Sequence, residues 1–215
     1  MARKRVAILI SGRGSNMVAL IEAASAADYP AEIVLVVSNR PDAPGIGYAQ
    51  KAGIATAVID HTEYGKDREA FERALQASLE ARDIEIVCLA GFMRLLTPWF
   101  IERWAGRLLN IHPALLPKFK GLHTHEQAIA AGAKEHGATV HIVTAHMDAG
   151  PTICQASVPV LGDDTAETLG ARVLAVEHRI YPLALKWLAE GKLRISDGTC
   201  RLDGAQVPEG VTAGS

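Results

Sequence analysis

The 215-residue sequence predicts an α/β protein, a Rossmann-like and mostly parallel sheet with helices on both faces. Three observations predict it. Short Val- and Ile-rich runs alternate with helical stretches through the first 90 residues. Those runs are near-continuous in apolar residues rather than alternating, as in strands buried on both faces. A Gly-rich turn, Ser11-Gly12-Arg13-Gly14, joins the first run to the first helical stretch. Strand–helix alternation of this kind means βαβ units with right-handed crossovers.

The elements follow in order. Arg5–Ile10 is the first strand. The basic Met1-Ala2-Arg3-Lys4-Arg5 ahead of it resembles the start of a signal peptide, but the apolar stretch is too short and no small-x-small cleavage site follows. Helices are expected at Asn16–Ala27, Gly45–Gly53 and Asp67–Arg82, and strands at Ile33–Ser38, Ala55–Ile59 and Ile84–Ala90. Phe71, Leu75 and Leu79 recur every four residues, one face of the third helix. In the second half, Arg107–Ile111 and Ala138–Val143 read as strands with a helix at His123–Ala133 between them, and Thr152–Leu161 is extended. The longest helical pattern, Thr165–Glu190, repeats Leu169, Val173, Val176, Ile180 and Leu183. Asp164 and Glu167 stand at the positions of an N-cap and its partner, and Pro182 is expected to kink or break the helix. The expected organisation is one domain, with halves 1–105 and 106–203 on a continuous sheet and a flexible Gly-, Ala- and Ser-rich tail, 204–215.

Composition excludes several classes. With 49 % hydrophobic and 21 % charged residues the chain is an ordinary globular protein, not a disordered one. Lys+Arg 22 against Asp+Glu 24 leaves a net charge of −2, with no electrostatic footprint for nucleic acid or anionic membrane. No apolar run reaches the roughly 18 residues of a membrane span. The three cysteines, Cys88, Cys154 and Cys200, form neither a disulfide framework nor a Cys-x-x-Cys pair, which points to the cytoplasm.

Gly14, Ser15 and Asn16 open the first helix, where free N–H groups and the macrodipole make an anion site. Met17 replaces the third glycine of a dinucleotide fingerprint and no Gly-Lys-Ser/Thr follows, so a single phosphate monoester is the preferred ligand. The plain alternative is a strand-to-helix turn. Asn110 and His112 lie two apart at a strand end, so both point to one face. Asn offers an uncharged donor for an oxyanion and His a proton near neutrality; the plain alternative is two satisfied polar groups at a sheet edge. Asp148, before Ala149-Gly150-Pro151, is either a turn residue or a partner raising a histidine pKa. Spacing alone does not place it near His112. His123, His125, His136, His141 and His146 match no zinc spacing, so no metal is expected; His123 and His141 lie near the site at most. Cys88 reads as a small hydrophobe, and the absence of Gly-x-Ser-x-Gly argues against a serine hydrolase.

Taken together, Ser11-Gly12-x-Gly14-Ser15-Asn16, Gly91-Phe92-Met93-Arg94-Leu95-Leu96, Asn110-Ile111-His112-Pro113-Ala114-Leu115-Leu116-Pro117, Gly121-Leu122-His123-Thr124-His125 and Asp148-Ala149-Gly150-Pro151 resemble the folate-dependent formyltransferases acting on phosphoribosylglycinamide. The resemblance covers nearly the whole chain. It implies the formyltransferase fold and transfer of a formyl group from 10-formyltetrahydrofolate, as cosubstrate, to the amine of 5-phosphoribosylglycinamide in purine biosynthesis. It implies that residues 1–105 bind phosphate and 106–203 bind folate and catalyse. It assigns Asn110, His112 and Asp148 to catalysis, with Asp148 raising the His112 pKa; Gly14, Ser15, Asn16 and Glu177 to the ribonucleotide; and Arg68, Met93, Arg94, Leu95, Leu96 and Asn110 to the folate. Ala114 and Ala149 depart from the commoner Ser and Gly at those positions, which tunes loops rather than chemistry. The implied partners are small molecules, without nucleic acid or membrane, and the implied state is monomer or homodimer. Three rivals share features. A formyltetrahydrofolate deformylase is expected to carry an extra N-terminal domain, whereas here the first strand begins at residue 5. A methionyl-tRNA formyltransferase is expected to be longer and basic. A catalytically dead binding module is disfavoured by the intact Asn110, His112 and Asp148.

Overall fold

The computed structural model describes residues 2–196, 198–203 and 205–206. It divides within a central strand into two units, Met1–Leu109 and Asn110–Ser215.

In the first unit, β1 (Lys4–Ile10) pairs in parallel with β2 (Ala31–Ser38) on one side and with β4 (Ile86–Leu89) on the other. β3 (Ala55–Val58) pairs in parallel with β2. Val6 to Ile10 are fully buried, which explains their unbroken apolar run. Burying each Ile, Leu or Val contributes about 1.5–3 kcal/mol. The crossovers are α1 (Ser15–Ala24), α2 (Gly45–Lys51) and α3 (Arg68–Glu80), and α4 (Pro98–Arg103) follows β4. Asp67 caps α3, its side chain accepting from the Ala70 N–H at 2.9 Å. Phe71, Leu75 and Leu79 form the buried face of α3 as their spacing predicts.

The second unit contributes β5 (Leu108–His112, whose first two residues fall in the first unit), α5 (Thr124–Ala130), β6 (Glu135–Ile142), β7 (Thr152–Pro159) and α6 (Ala166–Ala189). β6 and β7 are antiparallel, and the strand order of the main sheet is β3-β2-β1-β4-β5-β6-β7. A small antiparallel sheet, β8 (Leu193–Ser196), β9 (Thr199–Leu202) and β10 (Ala205–Gln206), follows α6. Of the tail predicted at 204–215, only 205–206 fall among the described residues, and they form β10.

Two local expectations need correction. The N-cap of α6 is Thr165, which exchanges hydrogen bonds with Thr168 in a capping box. Asp164 is occupied elsewhere: it takes both Arg172 guanidinium nitrogens at 2.8 and 2.9 Å and the Leu161 N–H at 2.8 Å. The Arg172 bond, above all, holds its carboxyl far below the usual range. Pro182 does not break α6, which runs through it for 24 residues. The helix survives because Leu169, Val173, Ile180, Tyr181, Ala184 and Leu185 are buried and the helix packs on β6 and β7. That burial outweighs the local penalty of about 3 kcal/mol for an interior proline.

Candidate active site

Three groups of predicted residues can be located. The first is the turn after β1. Gly14 adopts φ 72°, the left-handed region, and stands as N-cap of α1. A Cβ on it would meet the Met17 side chain at 3.1 Å. Met17, fully buried, fills the space beneath the turn that a dinucleotide fingerprint leaves to a small residue. Gly14, Ser15 and Asn16 line one cavity of about 440 Å³ with Arg40, His61 and Met93. These residues open α1, so the N-terminal end of that helix faces the cavity.

The second group is the segment after β4. Gly91 to Leu96 form neither helix nor strand. Met93 and Leu95 stand 71 % and 59 % exposed, while Arg94 lies over the Phe71 ring at 5.4 Å from its centroid. The far end of the segment is held by Glu72, whose carboxylate accepts from the Thr97 N–H at 2.6 Å and from the Thr97 hydroxyl. Burial pushes the Glu72 pKa up, against those bonds. Arg68, on the first turn of α3, is exposed.

The third group lies in the second unit. His112 Nδ1 faces Asp148 Oδ1 at 3.6 Å, so the tertiary fold joins the two residues that spacing left apart. His112 Nε2 is 3.0 Å from the Phe119 carbonyl. A carbonyl only accepts, so Nε2 carries the hydrogen and Nδ1 faces the carboxylate. Asp148 Oδ2 accepts from the Gly121 N–H at 3.0 Å. Asp148 itself adopts φ 49°, which Asp tolerates better than most residues. Its loop closes tightly on the end of β6: a Cβ on Gly150 would sit 1.8 Å from the Ile142 carbonyl oxygen, so only glycine fits.

His141 is a further member of this cluster, placed by the sequence near the site at most. Its Nδ1 is 3.0 Å from the Ile142 carbonyl and its Nε2 is 3.2 Å from Asn110 Nδ2. Nδ1–H therefore donates to the carbonyl, and Nε2 accepts from Asn110. That assignment turns the NH₂ of Asn110 toward His141 and leaves its second hydrogen free to donate. Burial, the largest influence, lowers the His141 pKa and keeps it neutral in this role. His141 Nε2 also lies 3.9 Å from Asp148 Oδ1, so Asn110, His112, His141 and Asp148 converge. The only sequence trace of His141 is a polar residue inside an apolar strand. The Phe119 and Gly121 contributions are backbone groups, which residue identity does not reveal. Glu177 is buried in α6, and His123 is exposed as N-cap of α5.

The Phe119 ring packs edge-on against His136, which is fully buried and 3.2 Å from His125 through their ring nitrogens. Burial, the leading cause, pushes His136 down to about 4 and also lowers His125. A histidine depressed in the fold is neutral there while the unfolded chain binds its proton below about 6.5. The stability it contributes is therefore present above that pH and lost as pH falls toward 4. Urea unfolding from pH 7 to 4.5 is expected to show a decline on the order of 2 kcal/mol from this residue. His136→Gln should flatten the decline; an unchanged slope in that variant contradicts the assignment.

A parallel α/β framework with a glycine turn opening its first helix, and in the second unit a polar cluster of Asn110, His112 and Asp148, are features of a group-transfer enzyme. The formyl transferase family model matches residues 4–185, and the chain belongs to that family. The phosphoribosylglycinamide formyltransferase of Escherichia coli is 45 % identical over 94 % of this chain and 95 % of its own. The trifunctional purine biosynthetic protein adenosine-3 of Bos taurus is 49 % identical over 91 % of this chain, which spans 19 % of that longer protein. The crystal structure of glycinamide ribonucleotide transformylase 1 from Symbiobacterium toebii superposes with a TM-score of 0.90 at 44 % identity, covering 93 % of this chain and 94 % of that one. No helix among the described residues is long and apolar enough to cross a membrane.

Proposed function

We propose that this chain transfers the formyl group of 10-formyltetrahydrofolate to the amine of 5-phosphoribosylglycinamide, yielding the formylated ribonucleotide and tetrahydrofolate in purine biosynthesis. The observation that carries this reading is the buried meeting of His112 with Asp148 beside an Asn110 amide that retains a free donor. Family membership and the names of the relatives support the substrates.

The chemistry follows from charge. The neutral amine attacks the formyl carbon, a new C–N bond forms, and the formyl oxygen gains negative charge. Asn110, through its second Nδ2 hydrogen, and the His112 imidazolium donate to that oxygen. The Nε2–H now resting on Phe119 is the donor that exchanges partner. Asp148 supplies the countercharge. A proton leaves the attacking nitrogen and reaches N10 of the folate, the C–N10 bond breaks, and tetrahydrofolate departs. No acyl-enzyme is required. Gly14, Ser15 and Asn16 anchor the ribonucleotide phosphate, with Glu177 as a further contact. Arg68, Met93, Arg94, Leu95, Leu96 and Asn110 hold the folate; the exposed Met93 and Leu95 side chains offer apolar surface to its ring. Anchoring both substrates makes the attack effectively intramolecular. The three widely spaced cysteines, Cys88, Cys154 and Cys200, without a Cys-x-x-Cys pair, support a reducing cytoplasmic setting.

The test is a formyl-transfer assay that follows deformylated folate by absorbance, with and without the ribonucleotide. Release that depends on the ribonucleotide is expected. Equal release without it means water is the acceptor and the protein is a deformylase. Silence in both overturns the reading.

A further inference from the structure

Ser11, at the end of β1, grips the segment after β4 by two backbone groups. Its N–H donates to the Gly91 carbonyl at 3.2 Å, and its Oγ accepts from the Met93 N–H at 2.8 Å. Having accepted there, the hydroxyl gives its own hydrogen to Asn39 Oδ1, 2.5 Å away. Asn39 is fixed in turn: its backbone N–H reaches the Ile10 carbonyl at 3.4 Å, and its own carbonyl accepts from His61 Nδ1 at 2.8 Å. Ser11 and Asn39 are buried, and both line the cavity of the Gly14–Asn16 turn. A buried hydroxyl whose donor and acceptor capacity are both used holds its partners in one geometry.

We infer that Ser11 is a positioning residue, which sets the backbone at Gly91–Met93, and with it the exposed Met93 and Leu95 side chains, from the same turn that precedes the phosphate-binding residues. The inference rests on the proposed folate role of Met93–Leu96. Between Gly91 and Leu96 the chain has no regular secondary structure to hold it. Freeing the Met93 N–H lets the segment sample other conformations, and folate binding must then reorder it. The ribonucleotide, anchored by Gly14, Ser15 and Asn16, bears less of that loss, although Ser11, Asn39 and Met93 line the same cavity.

Ser11→Ala removes both hydroxyl links, to the Met93 N–H and to Asn39 Oδ1, and Asn39→Leu removes the second of them, whereas Asn39→Asp keeps an acceptor for the Ser11 hydroxyl but adds charge beside the phosphate cavity. Steady-state kinetics and direct binding of 10-formyltetrahydrofolate separate the cases. Ser11→Ala and Asn39→Leu are expected to raise the KM and Kd for the folate about five- to tenfold while the ribonucleotide KM moves less than about twofold. Asn39→Asp should do the reverse, raising the ribonucleotide KM and sparing the folate. Unchanged folate binding in Ser11→Ala, or equal losses for both substrates, overturns the inference. Wild-type protein that binds no 10-formyltetrahydrofolate overturns the functional reading and the inference with it, an outcome distinct from wild-type binding that Ser11→Ala leaves intact.

Discussion

Replacement of His112 by alanine is expected to lower kcat by about 10²–10³-fold, the usual effect of losing one oxyanion donor. Both substrates should still bind, because their anchors lie on other residues. The alanine variant alone would be ambiguous. His112 is buried, and its Nε2–H satisfies the half-buried Phe119 carbonyl, so its loss also removes that hydrogen bond at a cost of about 1 kcal/mol in stability. His112→Asn separates the effects. Its amide can restore a donor to Phe119 but carries neither charge nor a transferable proton. A slow but stably folded His112→Asn, read by kcat beside a urea melt, assigns the loss to chemistry. Near-wild-type turnover in either variant removes His112 from the mechanism.

Asp148→Asn is expected to have a comparable or larger effect, about 10²–10⁴-fold on kcat with little change in either KM, by analogy with neutralising the carboxylate behind a catalytic histidine. The substitution keeps shape and an acceptor for the Gly121 N–H, which Asp148 holds at 3.0 Å. What disappears is the negative charge 3.6 Å from His112 Nδ1. An amide there stabilises no imidazolium, and its NH₂ can face the histidine ring instead. If kcat stays within about fivefold of wild type, the carboxylate serves the loop rather than the reaction, since chemistry that needs the charge loses far more.

Much of the fold was legible in the sequence, and the reason differs by element. β1 and β4 were plain because a strand buried on both faces must be apolar throughout. α3 was plain because one buried face repeats every three to four residues. The short α4 and the terminal hairpin left no comparable trace: six and four residues are too few for a period to emerge. The α6 cap was misread because Asp164 and Thr165 are both acceptable caps, and the choice fell to Arg172, eight residues beyond Asp164. Pro182 does not break α6 because local propensity is a weak prior against the burial of a whole helix face.

The candidate site divides the same way. The sequence by itself determined the parallel α/β framework, the glycine turn before α1, and the placing of Asn110 and His112 on one face of a strand, because local periods and turn chemistry act within a few residues. Only the tertiary structure decided that Asp148 meets His112, that His141 orients the Asn110 amide, and that Phe119 and Gly121 serve through their backbone. Those contacts join residues 7 to 36 positions apart through loop closure. They rest on atoms the residue letters do not show: a carbonyl at Phe119, an N–H at Gly121, and a glycine at 150 small enough to let the loop close.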